Sequence, residues 1–126
     1  MRKILLITLY LLLTSCVDSI NVMKDETLPK AKKELFYSHH IHLPGGFASP
    51  ISFLLKITPN DSGITYRFME DPLIVVGIKE DYNNIIIEGT PRNAGEIYID
   101  FNWSTYGRNY STGKKFQKKY ILKVEE

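Results

Sequence analysis

Beyond Leu35 the chain alternates apolar and polar residues with a period of two, run after run. Ile51, Phe53, Leu55 and Ile57 alternate with Ser52, Leu54 and Lys56. Ile64, Tyr66 and Phe68 alternate with Thr65 and Arg67. The clearest run sets Ile97, Ile99, Phe101 and Trp103 against Tyr98, Asp100, Asn102 and Ser104. The last sets Phe116, Lys118, Tyr120, Leu122 and Val124 against Gln117, Lys119, Ile121 and Lys123. Successive side chains of a strand point to opposite faces, so each run predicts a strand with one face on a core and the other in solvent. Leu73 to Ile78 and Ile85 to Ile87 are apolar on both faces, which predicts central strands or strands with a covered outer face. Turn-forming residues separate the runs: Pro44-Gly45-Gly46, Pro59-Asn60-Asp61-Ser62-Gly63, Glu70-Asp71-Pro72, Asp81-Tyr82-Asn83-Asn84 and Ser111-Thr112-Gly113. Six or seven short strands without a convincing helix predict an all-β sandwich. No internal repeat is visible.

The first 34 residues do not follow this pattern. Arg2 and Lys3 precede an apolar run from Ile4 to Leu13, which small residues close at the only cysteine, Cys16. That order of charge, greasy core and small residues is the order of a secretory signal. The uncharged stretch from Ile4 to Val17 has 14 residues, short of the roughly 20 that cross a bilayer. With no second cysteine, Cys16 has no intramolecular disulfide partner.

Leu13-Thr14-Ser15-Cys16 resembles the lipobox of bacterial lipoproteins; a signal peptide cut elsewhere is the alternative. The resemblance implies that residues 1–15 are removed, that the Cys16 sulfur takes a diacylglycerol, and that the new amino group takes an acyl chain such as palmitate. Each buried methylene is worth about 0.8 kcal/mol and one chain holds weakly, so several chains on one cysteine make a lasting anchor. In such lipoproteins an aspartate after the cysteine is a common inner-membrane retention signal. Val17 stands there and points to the outer membrane, facing the periplasm. Residues 16–34 mix charges with scattered apolar residues and hold no period, which predicts a flexible tether spanning roughly 23 Å. A short helix from Pro29 to Leu35 is the structural alternative.

Processing changes the charge argument. The chain has 16 basic and 14 acidic residues, and losing Arg2 and Lys3 leaves 14 of each sign. A formally neutral, exported chain has no electrostatic case for a nucleic-acid partner. Its length suits one domain with one core, over residues 35–126.

Ile87-Glu88-Gly89-Thr90-Pro91-Arg92-Asn93-Ala94-Gly95-Glu96-Ile97-Tyr98 resembles the turn-and-strand signature of immunoglobulin-like, cadherin-like domains common in bacterial surface proteins. The resemblance implies a single immunoglobulin-like β-sandwich, with Tyr37-Ser38 on its first strand and Ile64-Thr65-Tyr66 on a middle one. It implies an adhesion or scaffold module rather than a chemistry. Gly89 permits a positive φ where a strand ends, and Pro91 ends ladder donation. Where the family carries a Leu-Pro-x-Gly-Leu element, this chain reads Asp71-Pro72-Leu73-Ile74-Val75. The acidic calcium motif of true cadherins is missing, so calcium is not carried over.

Candidate chemistry is sparse. On a strand from His39 to His42, His40 and His42 share a face and could hold zinc or copper, but nothing nearby in sequence supplies a third ligand. The plainer reading is an exposed face with titrating histidines. No Gly-x-Ser-x-Gly elbow surrounds any serine, and the pairs Asp71 with Asp81 and Glu70 with Glu80 fall in predicted turns, without burial to tune them. Nothing here calls for an enzyme or a cofactor. The loop from Thr105 to Lys115 is the best binding candidate, because it puts Tyr106, Arg108, Tyr110 and Lys114 at one end of the sandwich. The expected function is a non-enzymatic, lipid-anchored domain that meets a protein partner in the cell envelope, as an assembly subunit or an immunity-type protein. The alternatives are a glycan- or peptidoglycan-binding module through Tyr106 and Tyr110, with Trp103 placed in the core, and a metal-binding lipoprotein through the His39-to-His42 strand.

Overall fold

The structure is a computed structural model that describes residues 19–70, 80–106 and 112–126. Nine strands run along it: β1 Ile20–Val22, β2 Glu26–Thr27, β3 Ala31–Lys32, β4 Tyr37–His42, β5 Leu54–Thr58, β6 Ile64–Glu70, β7 Glu80–Gly89, β8 Gly95–Tyr106 and β9 Thr112–Glu125. They form two sheets. One has the order β1-β9-β8-β5, with β2 and β3 also on β9; the other has the order β4-β7-β6. With β4 to β9 taken as strands B to G, the sheets are B-E-D and C-F-G, the division of an immunoglobulin-like sandwich. Among the described residues there is no helix.

The alternation read from the sequence sets the core. On β8, Ile97, Ile99, Phe101 and Trp103 are buried, and Tyr98, Asp100 and Asn102 are half-buried between them. On β9 the inward set includes Tyr120, Leu122 and Val124. Ile85 and Ile87 are fully buried on β7, which is the central strand of its sheet, as their two-sided apolar run implies. Phe53 ties the sheets together: its ring lies edge-on to Phe68 at 5.2 Å, Tyr82 at 5.5 Å and Phe101 at 6.1 Å. Such contacts add to the area term that dominates a core. The apolar run at 73–78 lies outside the described residues.

Three expectations need correcting. The stretch expected as a tether over 16–34 is part of the sheet from Ile20 onward. Ile20, Glu26 and Ala31 sit in parallel register with Lys115, Tyr120 and Val124, and Leu28 and Ala31 are buried. The sandwich therefore begins before residue 35. The second correction is Ile51, expected inward but 94% exposed. Ser49 N donates to Ser104 O at 2.8 Å and Ser104 N donates to Ser52 Oγ at 3.1 Å, so this segment wraps the end of β8 as a turn and β5 starts only at Leu54. Thirdly, Asp81-Tyr82-Asn83-Asn84 is not a turn but strand, within β7.

The motif from Gly89 to Gly95 behaves as its residues demand. Gly89 has φ 139°, and a Cβ there would overlap the Gly63 carbonyl oxygen. The two chain segments therefore touch backbone to backbone, which only glycine allows. Pro91 is fully buried and its carbonyl accepts from Glu34 N at 2.9 Å.

Candidate binding surfaces

A groove of about 470 Å³ lies between β4 and the β2–β9 edge of the other sheet, lined by residues that include Glu26, Leu28, Pro29, His39, Ile41, Lys118 and Tyr120. One end is closed where Tyr37 Oη donates to Pro29 O at 2.8 Å. On the wall formed by β9, Lys118 Nζ donates to Glu26 Oε2 at 3.1 Å and stands 4.6 Å from the centre of the Tyr120 ring. The Lys118 side chain is only 13% exposed, against 56% for Glu26. Burial pulls the Lys118 ammonium down, but hydrogen bonds with Glu26 and Tyr120 outweigh it and hold the group above its ordinary range. Burial pushes the Tyr120 phenol up, and Lys118 offsets part of that. The groove thus presents the Lys118–Glu26 ion pair between mostly polar walls, with Leu28 and Ile41 buried behind them.

The rim of that groove is an open strand edge. Among the described residues β4 pairs only with β7. Leu43 N donates to Asn83 O, and hydrogen-bonded positions alternate along an antiparallel pair, so the amides of His42, His40 and Ser38 face away from β7. Other edges carry features that deter pairing. Lys56 sits on β5, Arg67 and a register shift between Phe68 and Met69 mark β6, and the β1–β3 edge is broken into short pieces around Pro29. Tyr37–His42 contains no lysine, no proline and no bulge.

His40 and His42 share the outer face of β4, as expected, while His39 turns inward. His40 Nε2 and His42 Nδ1 lie 2.7 and 2.9 Å from Asn84 Oδ1, and Asn84 Nδ2 donates to Asp81 Oδ2 at 2.7 Å. A carboxylate only accepts, so the Asn84 oxygen must face the histidines, and both rings donate an N–H to it. The pair is satisfied as a hydrogen-bonded cluster. Among the described residues no group of three His, Cys, Asp or Glu could hold a metal ion.

Of the predicted binding loop, Tyr106 is half-exposed and Lys114 exposed, near the Tyr106–Thr112 pair that leads into the hairpin. Arg108 and Tyr110 lie outside the described residues, as does Cys16 with the rest of residues 1–18. Trp103 is 2% exposed and stacked on Phe116 at 5.3 Å, so it is core and offers no platform to a sugar. Its indole N–H has no hydrogen-bond partner among the described residues.

Two features of this end escaped the sequence. Phe47 is 79% exposed beside Tyr106, whose N–H donates to the Phe47 carbonyl at 3.0 Å. Asn83 fixes the loop that carries it: Oδ1 accepts from Ala48 N at 3.0 Å, and Nδ2 donates to Leu43 O at 3.2 Å and Gly46 O at 2.6 Å. The only signal for Asn83 was its place in an Asx-rich tetrad, which also describes a turn. The chain matches no protein-family model and no curated protein sequence.

Proposed function

We propose that this chain is a non-enzymatic lipoprotein, anchored through Cys16, whose immunoglobulin-like sandwich binds a protein partner in the cell envelope as an assembly subunit or an immunity-type protein. The observation that carries the recognition half is the open, undefended edge of β4 above the groove. An exposed strand edge recruits an extended peptide through main-chain hydrogen bonds, and pockets beside it select side chains. The groove suits a partner strand whose polar side chains bond to the histidines of β4 and to the exposed Glu26 carboxylate. Anchoring rests on the resemblance of Leu13-Thr14-Ser15-Cys16 to a lipobox and on the cysteine being unique.

The test uses two variants at one position. His40→Pro removes an outward amide and leaves the ladder to β7 intact, whereas His40→Ala keeps that amide. Envelope proteins recovered with the wild type from detergent-solubilised membranes should also be recovered with His40→Ala. They should be lost, at least tenfold, with His40→Pro of unchanged melting temperature. Equal recovery by both variants means that the β4 edge is not the site.

A further inference from the structure

Given the proposed lipidation of Cys16, we infer that the sandwich rests with its hairpin end on the phospholipid surface, with Phe47 and Ile51 entering the headgroup layer. The argument starts from where the chain joins the sheet. Ile20 pairs with Lys115, which itself pairs with Ser104 two residues before Tyr106. Cys16 precedes Ile20 by four residues, a reach of at most about 14 Å when fully extended. An acylated Cys16 therefore holds this end within a short distance of the bilayer. From there β1, β2 and β3 run along β9 toward Glu125, away from the anchor. Ten residues of β9 put the opposite end, with Leu35 and Phe36, roughly 33 Å farther out.

The anchored end carries side chains that suit a lipid interface. Phe47 is 79% exposed, Ile51 94% and Val22 73%. A lone exposed apolar residue is ordinary. Here Phe47 and Ile51 stand together along the end of β8, on backbone pinned by Asn83 and Ser104. Tyr106 stands beside them, and a tyrosine has its apolar ring and polar tip at home at headgroup depth. Lys114 adds a cation next to anionic phosphate. Glu70 and Glu80, paired at the same end of the other sheet, turn the contact toward β1, β8 and β9. Tethering makes the encounter intramolecular, so a few inserted side chains suffice.

A cysteine-specific environmental dye tests this, because lipidation would leave only an introduced thiol free. Full-length protein purified from bacteria as Ile51→Cys, Phe47→Cys or Phe36→Cys, each labelled with a nitrobenzoxadiazole dye, is reconstituted in phosphatidylethanolamine–phosphatidylglycerol vesicles containing doxyl lipid. The dye at positions 51 and 47 should shift to the blue and be quenched at least twofold, while position 36 stays water-like. Equal, water-like emission at all three positions on vesicle-bound protein overturns the inference and leaves the anchor standing. A wild-type chain that takes the dye at Cys16 and fails to float with vesicles removes the anchor itself, and the orientation with it. If envelope proteins cross-link at position 51 while its dye stays water-like on pure lipid, a protein covers this end and the inference is wrong.

Discussion

β8 and the stretch from Ile20 to Lys33 flank the same strand, β9, and are held to it by different physics. β8 runs antiparallel to β9 through eleven register pairs and buries every second side chain from Ile97 to Trp103. The N-terminal stretch runs parallel, in three pieces of two or three residues, and buries little beyond Leu28 and Ala31. Main-chain bonds fasten it between those pieces: Met23 N to Gln117 O at 2.8 Å, Leu28 N to Ile121 O at 2.9 Å and Lys33 N to Glu125 O at 2.7 Å. Side-chain burial writes a period into the sequence, whereas backbone pairing at an edge asks almost nothing of the side chains. An element held by the second means leaves no pattern to read.

The comparison breaks most visibly at Phe101. Its ring is fully buried at the centre of the sandwich, so Phe101→Ala should cost about 3–5 kcal/mol. That is a large part of the stability of a domain this size, and the denaturant midpoint should fall with the slope unchanged. An unchanged midpoint would mean that β8 does not carry the core. Leu28→Ala probes the other region. Leu28 is 4% exposed but sits near the sheet edge, so a loss of about 2 kcal/mol, the low end for such a truncation, is expected. Hydrogen exchange should quicken at the amides of Leu28 and Lys33 while Phe101 stays protected. A free tether would show neither effect, and that outcome would return residues 20–33 to the linker first expected.

Legibility followed the same division. The all-β class, the inward faces of β8 and β9, the central position of Ile85 and Ile87 and the glycine turn at Gly89 could be read because each rests on burial or on backbone conformation. Ile51 misled because its alternation with Phe53 continued past the true start of β5, and only serine bonds to Ser104 bend it outward. Asp81 to Asn84 misled because asparagines that fasten a neighbouring loop, as Asn83 does, or a neighbouring strand, as Asn84 does, have the composition of a turn. The groove was illegible: it joins Glu26, His39 and Lys118 from three separated segments, and Glu26 belongs to the stretch without a pattern.

The smallest effect separates the two regions by pH. Tyr37 and Tyr120 are both pushed above the ordinary 10.0 mainly by burial, and Lys118 is held above 10.5 against its burial by Glu26 and Tyr120. A folded-state value above the unfolded one means that the unfolded chain gives up its proton first as pH rises, so stability is fully present near neutrality and falls beyond about pH 10. These groups stand where the N-terminal stretch meets the sandwich: Tyr37 bonds Pro29, and Lys118, lying over Tyr120, bonds Glu26. Alkali should loosen that junction; Tyr98 on β8 is raised as well, by its hydrogen bond to Glu96, but it lies on the outward face of that strand. With Glu26 largely exposed, the Lys118–Glu26 contribution stays below about 1 kcal/mol. Melting temperatures between pH 8 and pH 11 should therefore fall gently for the wild type and less steeply for Tyr120→Phe, which has no phenol to ionise. Phe101→Ala should melt lower at every pH but keep the wild-type slope. A wild-type slope in Tyr120→Phe would show that the alkaline loss arises elsewhere than at this junction.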